Sequence, residues 1–378
     1  MKKSARIAVI GAGLGGLTAA AFLQRAGFAV TVHEQAPAPA RIGAGIILSA
    51  NAMKVLRRLG LEPALLETGI RPAAFLSRGW TDGATSYAQP MDAASEARFG
   101  GAFLNIHRAD LHAILLTALA PGSVRFGERL HALEETAGGL SLRFANGATA
   151  VADLVIGGDG IHSRLRTLLF GEAPPRFTGR MALRAIFPTA RLGGVAMDDC
   201  TKWWGEDRHA LTYFMTARRD EVYVMASVPG SSWDGTDLSR PLPRAKFLDA
   251  FAGACPALRE IVAGAQDCAV WPILDRARDD RWHRGRAVLL GDACHPVRPY
   301  MAAGGASAIE DAAVLARCLD AFDSPEEAFA RYAALRIPRV AEVQRISVAN
   351  TWMRGPREEL DWFFGYDALT VPLAERVA

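Results

Sequence analysis

The residues with the clearest chemical content are Gly11-Ala-Gly13-Leu-Gly15-Gly16, followed by Glu34 at the end of the next apolar stretch. Glycine at these spacings allows a tight turn at Gly11, a close backbone approach to a pyrophosphate at Gly13, and close helix–strand packing at Gly16. Glu34 is placed to accept hydrogen bonds from ribose hydroxyls, and an acid there disfavours a 2′-phosphate. A Gly-x-Gly-x-x-Gly run alone is weak. Here it sits between the apolar runs Ile7-Ala-Val-Ile10 and Ala29-Val-Thr-Val32, with a helix-compatible stretch ending near Gly27. That context points to an adenine dinucleotide whose phosphates meet the free N–H groups of a helix N-terminus.

Two further strand-to-turn signatures follow. One is Gly157-Gly-Asp159-Gly160 after Asp153-Leu-Val-Ile156. The other is Gly291-Asp292 after Ala287-Val-Leu-Leu290, continuing through His295-Pro296 and Pro299 to Gly304-Gly305 and Glu310-Asp311. An acid next to such a glycine can accept from ribityl or ribose hydroxyls. Gly304 and Gly305 open a helix whose N–H groups suit an anionic ring edge.

The elements that must position these turns read as an α/β chain. Helices are expected over 51–59, stopped by Gly60, from about 110 with Asp110 as N-cap, from 305 to about 321, and from about 324 to 350, kinked or broken at Pro338. Residues 75–99 lack a helical period and read as short strands or excursions. Residues 124–155 alternate as strands with a hairpin turn at Ala145-Asn146-Gly147. Between 180 and 230, three strand-like runs have no helix between them, so a mostly antiparallel sheet is expected as a substrate domain inserted into a Rossmann-like domain. The boundaries expected are 1–74, 100–178 and 271–340 for the cofactor domain, 75–99 and 179–270 for the substrate domain, and 341–378 for a C-terminal helix and tail. The Trp362-Phe-Phe-Gly-Tyr366 tail is too aromatic to be solvated and is expected to dock on the body.

Composition narrows the function classes. The 378 residues carry a formal net charge of +3, too small and dispersed for a nucleic-acid or membrane surface. No run approaches the roughly 18 apolar residues of a membrane span. Lys2, Lys3 and Arg6 before an apolar stretch resemble a signal peptide, but the glycines inside that stretch argue against secretion. Cys200, Cys255, Cys268, Cys294 and Cys318 form no CxxC pair and no metal-type spacing. An odd, scattered set fits a reduced cytoplasm, and no metal is expected.

Taken together, the three turn motifs and Arg108 in His107-Arg-Ala-Asp-Leu111 resemble the class A flavoprotein aromatic hydroxylases, over essentially residues 5–350. The resemblance implies the para-hydroxybenzoate-hydroxylase-like fold and tightly bound, non-covalent FAD. Gly11, Gly13, Gly15, Gly16, Glu34, Gln35, Arg41, Arg108, Leu130, Asp159, Asp292, Gly304 and Gly305 are the positions it assigns to the cofactor. It implies NADH or NADPH as a transient co-substrate, since no second fingerprint exists, and O₂ activated as a flavin C4a-hydroperoxide. The chain is most similar to a subgroup acting on pyridine acids such as 6-hydroxynicotinate, through Asp199–Trp204, Glu206–His209, Asn350-Thr-Trp352 and Gly365-Tyr-Asp367.

That similarity implies a pocket at Ile47, Cys200, His209, Tyr213 and Tyr300, with Tyr213, His209 and Tyr300 as catalytic candidates. The subgroup carries histidines where this chain has Ile47 and Tyr300. His209 and Tyr213, four apart on a strand, share a face and are expected to hydrogen-bond a phenolic or pyridone oxygen. Cys200 reads as a contact residue, not a nucleophile. His295 reads as structural, the remaining histidines considered (107, 112, 131, 162, 283) as ordinary, and Trp203 and Trp204 as core. The expected reaction is hydroxylation, with or without decarboxylation, of a small hydroxylated aromatic or N-heteroaromatic acid by a monomer or homodimer. A hydroxybenzoate or salicylate hydroxylase, a flavin- or nicotinamide-dependent dehydrogenase, and a non-enzymatic flavin-binding module stand as alternatives.

Overall fold

The computed structural model describes residues 4–41, 44–234, 237–356 and 360–373. A six-stranded sheet forms one side, in the order His283–Arg284, Ala287–Leu289, Leu154–Gly157, Arg6–Ile10, Ala29–Glu34, Val124–Phe126. All its pairings are parallel except the one between the first two strands. Its central strands read as near-continuous apolar runs because both faces are covered: Ile7, Val9, Val155 and Val288 are almost fully buried. Helices Leu14–Arg25 and Gly304–Ala321 pack on it, and small residues Ala19, Ala20, Ala312 and Ala313 belong to the same core.

An eight-stranded sheet forms the other side, in the order Arg240–Leu242, Cys268–Asp275, Arg176–Pro188, Glu221–Pro229, His209–Phe214, Cys200–Trp204, Ala74–Gly79, Thr85–Pro90. It is antiparallel apart from the join of Cys200–Trp204 to Ala74–Gly79. One face packs under helices Arg244–Asp249 and Pro256–Ala263 around Trp203, Phe187 and Phe251. The other face looks toward the nucleotide-binding side. Strands Arg176–Pro188 and Cys268–Asp275 run across the expected boundaries at 178/179 and 270/271, so the two sheets share continuous chain there. The outermost residues of the expected terminal segments lie outside the described residues.

Three local expectations are corrected. Residues 93–99 are helical: Asp92 caps them, accepting from Ser95 N at 3.0 Å, while Ser95 and Phe99 turn inward. The helix Arg108–Leu116 is capped by His107, whose Nδ1 accepts from Ala109 N at 3.1 Å; Asp110 lies inside the first turn. Of the kink or break expected at Pro338, the break is excluded: the helix runs unbroken over Pro325–Ala349. The lost N–H is outweighed by burial of Tyr332, Arg336, Val340 and Val343 on both sides of it. The aromatic tail docks as expected, with Phe363 and Phe364 packed edge-on against Trp352. No helix among the described residues is long and apolar enough to cross a membrane.

Candidate active site

The three glycine turns meet at the carboxyl ends of the parallel strands, where such sheets bind ligands. Gly11 adopts φ +95°, and a Cβ there would stand 2.5 Å from Gly158 O. A Cβ on Gly16 would stand 2.0 Å from Gly11 O, and one on Gly15 would stand 2.6 Å from Leu290 Cδ1. The first two turns therefore meet through backbone, and the third reaches Gly15 through the Leu290 side chain, so a Cβ at Gly11, Gly15 or Gly16 would crowd them. Gly13 caps the helix Leu14–Arg25 with no side-chain bond, leaving its first N–H groups free. The helix Gly304–Ala321 likewise begins without a side-chain cap.

Between these ends lies a cleft of about 1200 Å³, including space open to solvent. Gly13, Gly15, Arg108, Asp292, Gly304 and Gly305 all line it. Free helix N-termini, missing side chains and a facing arginine suit a long, doubly anionic ligand such as FAD.

The acids behave differently from one another. Glu34 accepts from Ala12 N at 2.7 Å and from Ala36 N at 2.8 Å, tying the glycine turn to the second strand. Asp159 accepts from Ser163 Oγ at 2.6 Å and Leu165 N at 3.0 Å, so its carboxylate holds its own turn while Gly158 and Gly160 face the cleft. Asp292 is exposed to the cleft yet ringed by protein; that enclosure pushes its carboxyl up, against the pull of His295 and Arg108. Arg41 pairs with Glu221 at 2.9 Å and Asp110 at 3.3 Å. Gln35 is exposed just beyond the second strand, and Leu130 is buried in the core.

Behind the Gly291-Asp292 turn is an ion network that sequence reasoning missed. Asp311 accepts from Gly291 N at 3.0 Å, from His295 Nε2, and from Arg336 Nε at 2.7 Å. Glu310 pairs with Arg336 and Arg339, each at 2.7 Å, and accepts from Asn51. All but Arg339 among these charged groups are almost wholly buried. The signal was adjacent acids inside an apolar helix and arginines three apart on the next one. Cys294, His295 and Asp311 bring possible ligand atoms within 4.8 Å of one another, but Asp311 is already neutralised by Arg336.

A second, apolar pocket of about 550 Å³, including space open to solvent, opens from the cleft, sharing Ile47, Leu211, Met225, Pro299 and Ala302 with it. Its walls are Phe75, Met91, Phe103, Trp352, Phe363 and Phe364; its polar groups include Lys202 and His209. Ile47 and Tyr300 both line it. The Tyr300 ring meets His209 edge-on at 4.9 Å, while its hydroxyl is 3.1 Å from Ser227 Oγ. Tyr213 shares the face of His209, but four residues of strand separate them by about 13 Å. It lines the cofactor cleft, packed on Tyr223 and against the bare Cα of Gly45. Cys200, its ladder partner, is fully buried, lines neither space, and has its thiol pushed up by burial.

His209 is buried and held well below its ordinary pKa by desolvation, then by Lys202 and Arg180. It is a neutral ring. Burial, with Arg354, likewise pulls Lys202 well down. Lys202, Trp352 and the tail phenylalanines are pocket residues whose role sequence reasoning did not assign, because their segments meet only in the folded chain.

The family described as "FAD binding domain" matches residues 4–347. A 6-hydroxynicotinate 3-monooxygenase of Pseudomonas fluorescens is 44% identical over 99% of this chain and 98% of its own. A 3-amino-4-hydroxybenzoate 2-monooxygenase of Streptomyces platensis is 40% identical over 97% of each. The crystal structure of Klebsiella pneumoniae HpxO complexed with FAD and uric acid superposes with a TM-score of 0.81, at 29% identity, over 92% of this chain and 87% of that one.

Proposed function

The chain belongs to the FAD-binding domain family of flavin-dependent aromatic monooxygenases, and on that premise we propose that it hydroxylates a small hydroxylated aromatic or N-heteroaromatic acid of the 6-hydroxynicotinate kind. Its cofactor is FAD and its activity is that of an oxidoreductase. The observation that carries the substrate reading is the junction of a cleft set by glycine turns with an apolar, aromatic-walled pocket holding two nitrogen donors, Lys202 and His209. NADH or NADPH serves as transient reductant and O₂ as oxidant, in a cytoplasmic monomer or homodimer.

Bound in the cleft, FAD supplies the oxygen-atom transfer. The chain's own residues do the rest. The glycine turns at 11–16 and 158–160, with Arg108, Asp292, Gly304 and Gly305, hold the cofactor; Glu34 and Asp159 keep its turns in shape. Gln35, Arg41 and Leu130 flank the nucleotide end. The aromatic walls exclude water and stack the substrate ring. His209 donates to an oxygen on that ring, favouring its ionised form and so the electron density the reaction needs. Tyr300 walls the pocket, and Tyr213 and Ile47 stand at its mouth. The parallel-sheet part serves the cofactor and the eight-stranded sheet the substrate. Where the attacked carbon bears the carboxylate, the new C–O bond replaces the C–carboxyl bond and CO₂ leaves.

Ile47 favours a broader substrate range. It offers no hydrogen bond where a polar substrate group would face it, and an unpaired buried polar atom costs about 1–3 kcal/mol. Assay of NADH and NADPH oxidation and coupled product across hydroxypyridine and hydroxybenzoate acids tests this. The expected outcome is turnover of several acids, with 6-hydroxynicotinate one among them. Exclusive turnover of 6-hydroxynicotinate, unimproved by Ile47→His, would refute the role given to Ile47.

A further inference from the structure

Lys202 sits on the strand Cys200–Trp204 with its side chain buried at the edge of the ring pocket. Its Nζ donates to Tyr300 O at 3.0 Å and to Asn350 Oδ1 at 3.1 Å. The Asn350 amide oxygen therefore faces the lysine and its Nδ2 faces His209 Nδ1, also at 3.1 Å. An amide nitrogen only donates, so Nδ1 must present its lone pair. In a neutral imidazole the hydrogen then resides on Nε2, and that atom is buried with no partner among the described residues. Asn350 can serve this role because it ends the helix Pro325–Ala349 at φ 49°, a left-handed conformation asparagine tolerates better than most residues.

The charges around Lys202 have one sign. Arg354 and Arg180 are the charged groups acting on this cluster, the face of Trp204 lies 4.0 Å from Nζ, and no carboxylate among the described residues comes within ion-pair distance. Burial and these like charges disfavour the charged form of Lys202 in the empty pocket, and an anion beside Nζ would restore the ammonium.

We propose that Lys202, Asn350 and His209 form a relay that presents His209 Nε2–H and the Lys202 ammonium as paired donors to one anionic oxygen of the substrate, with Asn350 as the positioning residue. The proposal rests on the reading that a hydroxylated aromatic acid occupies this pocket. The anionic oxygen belongs either to the ionised ring hydroxyl or to the carboxylate, and both would be recognised by the same donors.

The FAD-loaded enzyme tests it in two measurements. With ¹⁵N-labelled histidine and no substrate, His209, assigned by loss of its signal in His209→Gln, should show a protonated Nε2 and a bare Nδ1. Asn350→Asp, of the same shape, should move the proton to Nδ1, because a carboxylate accepts from both neighbours. A wild-type ring protonated at Nδ1 or at both nitrogens would overturn the relay.

The second measurement titrates 6-hydroxynicotinate, nicotinate and 2-hydroxypyridine against the flavin absorbance. Lys202→Met should weaken 6-hydroxynicotinate about tenfold or more at unchanged flavin content. Asn350→Asp should weaken it too, which keeps the test alive if Lys202→Met does not fold. A loss retained with nicotinate assigns the oxygen to the carboxylate; a loss retained with 2-hydroxypyridine assigns it to the hydroxyl. Unchanged affinity in both variants would overturn the proposal. If none of the three compounds perturbs wild-type flavin, the substrate reading fails, while the histidine tautomer still decides the relay.

Discussion

The cofactor cleft rests on close-set glycine turns, and the ring pocket on side chains from distant segments. Around the cleft, Gly11, Gly15 and Gly16 let three turns touch, and any Cβ would stand 2.0–2.6 Å from another atom. Around the pocket, Phe75, Phe103, Trp352 and Phe363 come from segments far apart in the chain, and polar groups are few. Backbone contact tolerates almost no substitution, so it suits a ligand common to a whole family. A side-chain wall, such as Ile47 and Tyr300 provide, can be exchanged residue by residue and so suits what sets substrate choice.

The largest predicted effect challenges that contrast, because the cleft has a side-chain foundation behind it. Arg336 is fully buried against Glu310 and Asp311, and Asp311 holds Gly291 N. Arg336→Leu leaves Asp311 to His295 and Glu310 to Arg339, removing a buried cation shared by both acids, and should cost about 3 kcal/mol. Chemical denaturation should show the loss, with FAD retention falling alongside it. A variant as stable as wild type would mean that the ion network is dispensable. Next comes Gly16→Ala, a single methyl at 2.0 Å from Gly11 O. Overpacking of this kind costs up to about 3 kcal/mol, and here it should appear chiefly as flavin lost on gel filtration. Retention of one flavin per chain would show that the turns yield more than their contacts imply.

The contrast also explains what could be read in the sequence. A backbone site leaves a local record: Gly11–Gly16, Gly157–Gly160, Gly291-Asp292 and Gly304-Gly305 each lie within a few residues, next to the strand or helix that uses them. The parallel order and the antiparallel insertion followed from where helices did and did not separate the strands. The pocket leaves no such record. Nothing near Lys202 announces that it meets Asn350, and the equal spacing of His209 and Tyr213 conceals that one faces the ring pocket and the other the cofactor cleft. The helix at 93–99 was hidden by its shortness and by the strands before it. Asp159 was legible as an acid beside a glycine, but its partners, Ser163 and Leu165, lie in its own turn.

A smaller effect separates the two regions by pH. Asp311 is held down to about 2 from an ordinary 3.8; burial opposes the shift, and His295 and Arg336 more than overcome it. A carboxyl with a depressed pKa stabilises the fold above its ordinary value, and that stability is lost as pH falls from about 4 toward 2. His295 is raised well above 6.5 by Asp311 despite burial, so its share is full below that value and lost at alkaline pH. The pair thus supports the fold between these limits, by an amount on the order of 2 kcal/mol for Asp311. Urea unfolding at pH 6 and pH 3 should show Asp311→Asn losing less stability on acidification than wild type. Parallel losses would mean the acid sensitivity lies elsewhere.

The smallest effect sharpens the account of the side-chain wall. Tyr300 lies at the ring pocket, yet its hydroxyl is occupied by Ser227 Oγ at 3.1 Å, which also receives Arg180 Nε at 3.4 Å. The ring's edge, packed on His209, is what faces the pocket. Tyr300→Phe keeps that edge and removes only the bond to Ser227, a loss of about 1 kcal/mol. Ser227 keeps the arginine, so no buried group is stranded. Stability should therefore fall slightly, flavin content should hold, and kcat/KM for the best acid should stay within about threefold. His209→Phe, by contrast, deletes the nitrogen donor and should lower coupled hydroxylation far more than FAD content. If Tyr300→Phe instead abolishes coupling as severely as His209→Phe, the phenol donates to substrate during turnover, and the wall at residue 300 is chemical as well as steric.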